Sequence, residues 1–549
     1  MFEPVAKPWG MAGIPPDFEF DTLPEDVAHI EPHLNLAIHR IPLLSDTGIK
    51  LFFNGPESFT PDNRYYLGPS PEISNFFIAA GFNSIGIQSA GGAGKVIAEW
   101  IDAGHAPMDL WDVDIRRVMP FQSNQRYLHD RTKEALGLLY AMHWPYRQVE
   151  SARPVRVSML HDRLKAVGAC FGEVSGWERP NWFGKAGTVP GYEYSYSRQN
   201  WFENSRAEHQ GVRQGVGLFD LSSFGKMLLQ GPDAARVLGH ISGRDVDILP
   251  GHAVYTQWLN ARGGIEADLT VTRIDDDQFL IVTSAASQAR DYYWLREHIP
   301  DDACAVVTDV TSGYAVIALM GPRSRTLLRE LTPEDLSSAA FPFGASREIE
   351  LGYARVRATR MSYVGELGWE LYIPSEFALG VYDVIAEAGE SHGLVMAGYH
   401  ALNSLRIEKA FRHWGHDISD EDTPLEAGLG FAVDFGKPGG FLGEAALLKQ
   451  REQPLTRRLI QFLVNDPEPL LYHDEPIWRD DVRVGRTTSG MYGHSLGGAV
   501  GLGYVEHKDG VDDAFVTTGS YTIEIAGRRY PATASLSPLY DPSSKRARG

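Results

Sequence analysis

The 549-residue sequence predicts an α+β protein of at least two domains, with three the expected number. Three observations lead there. A Gly263–Gly264 pair is followed by strict alternation, with Ile265, Ala267, Leu269 and Val271 on one face and Glu266, Asp268, Thr270 and Thr272 on the other. Elsewhere the apolar residues recur at helical spacing, as in Lys95 to Ala103. Near the end, short alternating segments such as Tyr521–Ile525 and Tyr530–Ser535 flank a turn at Gly527, which reads as a small antiparallel barrel. For the alternating stretch the plain reading of the polar face is a solvated surface. The other reading is two carboxylates and two hydroxyls lining a cavity.

In chain order, Asp26 to Ile41 fits an amphipathic helix, and Phe76–Ala80 reads as a strand buried on both faces. Gly81 to Gly94 reads as a long glycine-rich loop, and Lys95 to Ala103 as a helix with Val96, Ile97, Trp100 and Ile101 inward and Gly104 as its stop. Strand, glycine loop and helix is the place where an α/β fold offers backbone N–H groups to a ligand; equally, glycines let a helix pack close to a sheet. It is not a P-loop, because Val96 follows Lys95, and GxGxxG is absent from it. Arg126 to Met142 looks helical and breaks at His143-Trp144-Pro145. The aromatic and glycine-dense words at 171–173 and 176–183 read as a packed connection between domains, and 184–197 as an exposed loop. Phe202 to Gly215 should be a helix, and Ser375 should cap one that turns Val381, Ile385 and Ala388 inward. The acidic run 417–422 reads as a solvated loop, and 541–549 as a disordered tail. His413 and His416 lack further ligands at metal spacing, so no metal is expected.

The net charge of −20 argues against nucleic acid or an anionic membrane as partner. Two cysteines, Cys170 and Cys304, cannot build a disulfide framework, and a reducing, cytoplasmic location is the default. The first eight residues lack the apolar core of a signal peptide, and no apolar run is long enough to span a bilayer.

Several motifs, in order, carry a resemblance. Asn54-Gly55-Pro56-Glu57 to Asp62, Leu67-Gly68-Pro69-Ser70-Pro71-Glu72, the glycine stretch and Asp109 to Arg117 resemble the closing part of the flavin module of dimethylglycine and sarcosine dehydrogenases. Leu218-Phe219-Asp220 to Lys226, the alternating strand, Ser362-Tyr363-Val364-Gly365-Glu366 to Tyr372, Ser404-Leu405-Arg406 and Thr423-Pro424-Leu425-Glu426 resemble the aminomethyltransferase (glycine-cleavage T-protein) module that follows it in that family.

The resemblance implies a partial FAD-oxidoreductase module followed by a three-lobed folate module ending in a β-barrel. The implied bounds are 1–118 for the incomplete flavin domain, 119–197 for a central connecting domain, 198–450 for the folate domain and 455–545 for the barrel. The flavin-facing residues would be Asn83, Ser84, Ile85, Gly86, Ile87, Gly91 and Gly92. FAD is implied only if the nucleotide-binding segment is supplied, because the chain is a truncated product or because a separate polypeptide carries it. For tetrahydrofolate, Asp268 corresponds to the carboxylate near N5 and N10, Thr270 to a neighbouring contact, and Tyr363 and Glu370 to pterin contacts. Tyr255 and Phe431 complete the implied folate set, although Phe431 stands where some members have tyrosine. Leu402 replaces the arginine that T-proteins place two residues before the Ser-Leu-Arg motif, which favours the dehydrogenase branch. The implied function is folate-dependent one-carbon transfer coupled to oxidative N-demethylation of a dimethylglycine- or sarcosine-like amine, forming 5,10-methylenetetrahydrofolate. The alternatives are a flavin-independent O- or S-demethylase and a non-catalytic folate-binding fragment or subunit.

Overall fold

The computed structural model describes residues 7–185, 187 and 190–549. The opening residues 1–6 and part of the expected 184–197 loop lie outside the described residues. Residues 7–143 and 149–153 belong to one compact unit; 144–148 and the chain from Pro154 on form a second.

In the first unit the helix Val27–Arg40 matches the expected amphipathic segment, with the Asp26 side chain accepting from His29 N at 3.2 Å as its cap. The apolar run at 76–80 departs from expectation. Among the described residues its strand, Phe77–Ala80, pairs only with Tyr66–Pro69, and its last two residues are exposed. A two-stranded ribbon with the helix Gly86–Ala103 packed against it is covered on one face and cannot bury both.

The glycine stretch is a second correction. The helix spans Gly86–Ala103, so Gly86, Ile87, Gly91 and Gly92 are helical rather than in a loop. Each glycine costs a helix about 1 kcal/mol relative to alanine. Burial of Ala93 and Trp100 offsets this on the inward face, while Gly91 and Gly92 look outward. Gly104 ends the helix at φ +74°, as expected. A further helix, Gln125–Tyr140, stops before the His143-Trp144-Pro145 break.

The second unit opens on the helix His161–Ala166 and an antiparallel hairpin, Ala169–Val174 with Trp177–Phe183, where a connecting segment was expected. The helix Phe202–Gln214 follows. Its buried Glu208 accepts from Phe183 N at 2.7 Å and Gly398 N at 2.9 Å, stitching the hairpin to a distant turn.

Two sheets form the body of this unit. One is five-stranded and antiparallel, in the order Val306–Asp309, Gly225–Gln230, Gln278–Thr283, Ile265–Asp275, His252–Leu259. The other is six-stranded, in the order Ser346–Leu351, Ala354–Thr359, Gly368–Pro374, Tyr314–Met320, Val216–Asp220, Leu394–Met396. Its last pair is parallel and the rest antiparallel. The whole five-stranded sheet is inserted between Val216–Asp220 and Tyr314–Met320. The helix Ala378–His392 buries Val381 and Ile385 as expected, with Ala388 packed at its edge. Ser375 is not its cap: its hydroxyl donates to Ser312 O at 2.6 Å within a preceding 3₁₀ turn.

The remaining strands close a six-stranded barrel, in the order Arg457–Val464, Gly498–Glu506, Val482–Gly493, Pro476–Arg479, Tyr521–Ile525, Arg528–Ser535. Closure leaves no free edge. The expected disordered tail is instead ordered: it forms a short helix, Lys545–Arg548, and Ala547 is buried. Among the described residues no helix is long and apolar enough to cross a membrane. Both cysteines are free thiols, Cys170 buried and Cys304 exposed.

Candidate functional site

The strand Ile265–Asp275 buries Ile265, Ala267, Leu269 and Val271 to 3 % exposure or less, as its alternation requires. Its polar face is not the solvated surface of the plain reading. Glu266 and Thr272 are buried, and Asp268 and Thr270 half-buried.

Turn chemistry sets the start of this strand. Gly263 adopts φ +83°, and a Cβ on Gly264 would lie 1.9 Å from Asp420 O. Asn260 locks the turn: its Oδ1 accepts from Arg262 N and Gly264 N at 3.0 Å, and its Nδ2 donates to Glu266 Oε1 and Asp420 O at 3.0 Å. Glu266 is ion-paired with buried Arg290, whose guanidinium lies 4.6 Å from the centre of the Trp414 ring. Glu266 is therefore a structural anchor.

The acidic run lies against this same turn and is the third correction. Ile265 N donates to Asp422 O at 3.0 Å. Asp417, 1 % exposed, pairs with Arg406 at 2.9 Å and accepts from Thr488 Oγ1, Ser489 Oγ and His413 N at 2.6, 2.7 and 3.0 Å. Asp422 pairs with Arg457. Full pairing lets carboxylates that composition places in solvent sit inside.

Asp268 differs from Glu266. Register sets Gln257 opposite Asp268 and Tyr255 opposite Thr270, so these four side chains share one face. Gln257 Nε2 donates to Asp268 Oδ1 at 2.8 Å. Burial pushes the Asp268 carboxyl up to about 6, against hydrogen bonds from Gln257 and Tyr255 and the nearby Arg412 charge. The Tyr255 hydroxyl is held protonated by burial and by the Asp268 charge. Phe431, 68 % exposed, stacks on the Tyr255 ring at 6.2 Å and 27°.

Arg412 is pinned beside them, donating through Nε and Nη2 to Ala427 O at 2.9 and 2.6 Å and through Nη1 to Ala410 O at 2.6 Å. Tyr363 donates to Arg412 O at 2.8 Å and stacks on Phe411 at 5.9 Å. Its own hydroxyl is pushed up to about 12 by burial.

Glu370 reaches the region from the other sheet. Tyr372 Oη donates to Glu370 Oε2 at 2.7 Å, and burial raises the Glu370 carboxyl. Their face also carries Phe219, Val316 and Ala318. These pack in one apolar cluster with Leu280 and Val282, the cross-strand partners of Thr272 and Thr270, and with Tyr363. The polar strand face and the Glu370 face thus meet across a shared cluster. Asp268, Thr270, Tyr255 and Phe431 come together by direct contact or register; Tyr363 joins them through its bond to Arg412 O and the shared cluster, and Glu370 through Tyr372 in that cluster. Sequence reasoning missed Gln257, Tyr372 and Arg412. Alternation along His252–Leu259 and Gly368–Pro374 could have found the first two. No periodic signal marks Arg412.

In the first unit, Asn83 and Ser84 adopt left-handed φ of 49° and 67°. Asn83 Oδ1 accepts from Thr60 N at 2.7 Å, and Ser84 Oγ donates to Glu57 Oε2 at 2.6 Å. Ile85 begins the glycine helix without a side-chain cap, and Ile87 is fully exposed. The uncapped backbone N–H groups of that helix start are the donor type that the carbonyl edge of a flavin ring takes up.

Comparison with known proteins adds to this geometry. Residues 160–437 match the GCVT N-terminal domain, about half the chain, and 457–541 match the glycine cleavage T-protein C-terminal barrel domain. Residues 9–100 match FAD dependent oxidoreductase, and 103–158 its central domain. The chain belongs to the glycine cleavage T-protein family. It is 46 % identical to 4-methylaminobutanoate oxidase (formaldehyde-forming) of Paenarthrobacter nicotinovorans, over 100 % of this chain and 66 % of that protein. It is 35 % identical to human mitochondrial sarcosine dehydrogenase (97 % and 62 %). It is 36 % identical to the mouse mitochondrial pyruvate dehydrogenase phosphatase regulatory subunit (95 % and 61 %). The chain therefore spans under two thirds of the length of these curated relatives. The crystal structure of aminomethyltransferase T from Bartonella henselae shares the fold, with TM-score 0.60 and 24 % identity over 71 % of this chain and 99 % of that one.

Two expectations change. The flavin-type module is represented within this chain, at 9–100, so the expected separate chain carrying it has no support, and the expected absence narrows to the missing GxGxxG. Relatives named as mitochondrial remove the support for a cytoplasmic location.

Proposed function

We propose that the second unit binds tetrahydrofolate and joins its N5 and N10 through a one-carbon unit released by oxidative demethylation of a small N-methyl amine. The observation that carries this is the half-buried Asp268 carboxyl, poised near 6 and held by Gln257 and Tyr255 beside Arg412 and Tyr363. FAD, when bound at the first unit, supplies the oxidation of the amine. The P. nicotinovorans relative is named as a formaldehyde-forming oxidase of a methylated amine. Formaldehyde adds to N5 to give a hydroxymethyl group. Closure to N10 then expels water, forming one C–N bond as one C–O bond breaks. Asp268 would protonate the departing hydroxyl and take the N10 proton back, a task suited to an acid with pKa near the working pH. Glu370 would accept the paired N–H donors of the pterin edge, and Tyr363 and Thr270 would line the ring. Tyr255, from the five-stranded sheet, and Phe431, from the 3₁₀ turn Gly430–Ala432, would cover the folate.

The match of residues 9–100 to FAD dependent oxidoreductase favours this route over a flavin-independent O- or S-demethylase. A second reading rests on the relative named as a regulatory subunit: the module would bind folate, or a protein partner, without turnover. The test mixes this chain with tetrahydrofolate and formaldehyde and follows 5,10-methylenetetrahydrofolate against the uncatalysed rate. Acceleration lost in Asp268→Ala supports transfer. Folate binding without acceleration supports the regulatory reading, and no folate binding overturns both folate roles.

A further inference from the structure

Tyr540 and the segment 541–549, the latter expected to be disordered, grip the loop that carries Tyr363. Glu366, 1 % exposed, sits three residues beyond Tyr363. Arg546 Nε donates to both Glu366 oxygens at 2.8 Å, and Tyr540 Oη donates to Glu366 Oε1 at 2.9 Å. Arg213 takes the other side, donating through Nη1 to Glu366 Oε1 at 3.1 Å and Val364 O at 2.6 Å, with its guanidinium 3.8 Å from the centre of the Tyr540 ring. Arg546 Nη2 closes the ring of contacts on Arg213 O at 2.8 Å.

Lys409 secures the segment's near end, donating to Asp541 O at 2.5 Å and Ser544 Oγ at 3.1 Å. Its side-chain stem fills the space that a Cβ on Gly365 would occupy, 2.4 Å away. Arg360 and Ser338 hold the far end through Arg548 O at 2.5 Å and Gly549 O at 2.7 Å. The loop 362–367 is thereby caught between Arg213 and Lys409 on one side and this segment on the other.

We propose that Arg546 and Tyr540 are positioning residues for the folate site: through Glu366 they fix the loop that presents Tyr363 to the pterin. This rests on the reading of Tyr363 as a pterin contact. Arg546 shares its Nε–H between both Glu366 oxygens while its Nη2 is held on Arg213 O, and Tyr540 adds a second donor to Glu366; together these contacts fix orientation as well as distance, which a ring-stacking contact three residues away needs. Without it, Arg213 still satisfies Glu366, so the fold is kept while the loop gains freedom.

The experiment measures the Kd of the whole chain for tetrahydrofolate in wild type, Arg546→Ala, Tyr363→Ala and the double variant, with amide hydrogen exchange over 362–367. Arg546→Ala is expected to weaken binding about tenfold, to raise exchange across the loop, and to add nothing once Tyr363 is alanine. A purely structural tail would instead weaken binding equally in both backgrounds, and that result overturns the proposal. Wild-type Kd for Arg546→Ala beside weakened Tyr363→Ala overturns it too, leaving the site reading intact. Wild-type Kd for Tyr363→Ala removes the site reading and the positioning role with it. Should Arg546→Ala not fold, Tyr540→Phe removes one donor only and is expected to weaken binding about threefold; no change there counts against the proposal.

Discussion

Gln257 and Asp268 face each other across two antiparallel strands, and the Gln257 amide donates to the Asp268 carboxylate at 2.8 Å. That single contact separates Asp268 from the other carboxylate of its strand. Glu266 is ion-paired and spent on structure, whereas Asp268 is held by neutral donors beside the Arg412 charge, which leaves its proton affinity adjustable.

Replacing Asp268 with Ala is expected to slow methylene formation by about a hundredfold or more, with folate affinity changed only a few-fold. Stopped-flow capture of formaldehyde by bound tetrahydrofolate measures the first, and equilibrium titration the second. Equal rates in the two proteins would remove Asp268 from the chemistry.

The same carboxyl makes stability depend on pH. Its folded value, about 6, lies above the ~3.9 of an unfolded aspartate. The folded state therefore holds the proton more tightly. This contribution is fully present below about pH 4 and lost as pH rises through about 6. Asp268→Asn, which cannot ionise, should be more stable than wild type at pH 8 by about 1–3 kcal/mol and no more stable at pH 4. Thermal melts at the two pH values decide it, and a constant difference would contradict the burial argument.

Tyr372→Phe removes the hydroxyl that orients Glu370 while keeping the ring in its cluster. Folate affinity should fall about tenfold, with the melting temperature close to wild type. A large stability loss with unchanged affinity would make Glu370 structural.

Asp417→Ala leaves the Arg406 guanidinium, the Thr488 and Ser489 hydroxyls and His413 N without their shared acceptor. Urea unfolding should report a loss of about 3–5 kcal/mol, the cost of one partner removed from a buried pair. A neutral result would mean that the acidic run is solvated after all.

Alternation was enough to place the strand Ile265–Asp275 and both of its faces, because a period of two survives any tertiary context. The closing barrel was legible for the same reason. What could not be read was compensation at a distance. The 417–422 carboxylates looked solvated because Arg406 and Arg457 are remote from most of them in sequence, and the tail looked disordered because Glu366, Lys409 and Arg360 all lie far upstream. The glycine stretch misled in the opposite way: composition argued for a loop, while burial of Ala93 and Trp100 carried a helix through it. In the folate region, the residues named from family motifs were those with distinctive chemistry. Arg412, held by backbone carbonyls, has no motif to announce it.

The interrupted order of the six-stranded sheet bears on biosynthesis. As the chain leaves the ribosome, Val216–Asp220 emerges before either of its neighbours, and the complete five-stranded lobe is made while that strand waits. Its wholly buried run gains one partner only with Tyr314–Met320 and the second only with Leu394–Met396. During that interval two unsatisfied ribbons of peptide N–H and C=O are open to any other nascent chain, so slow translation or crowded polysomes should penalise this protein more than its finished stability would imply.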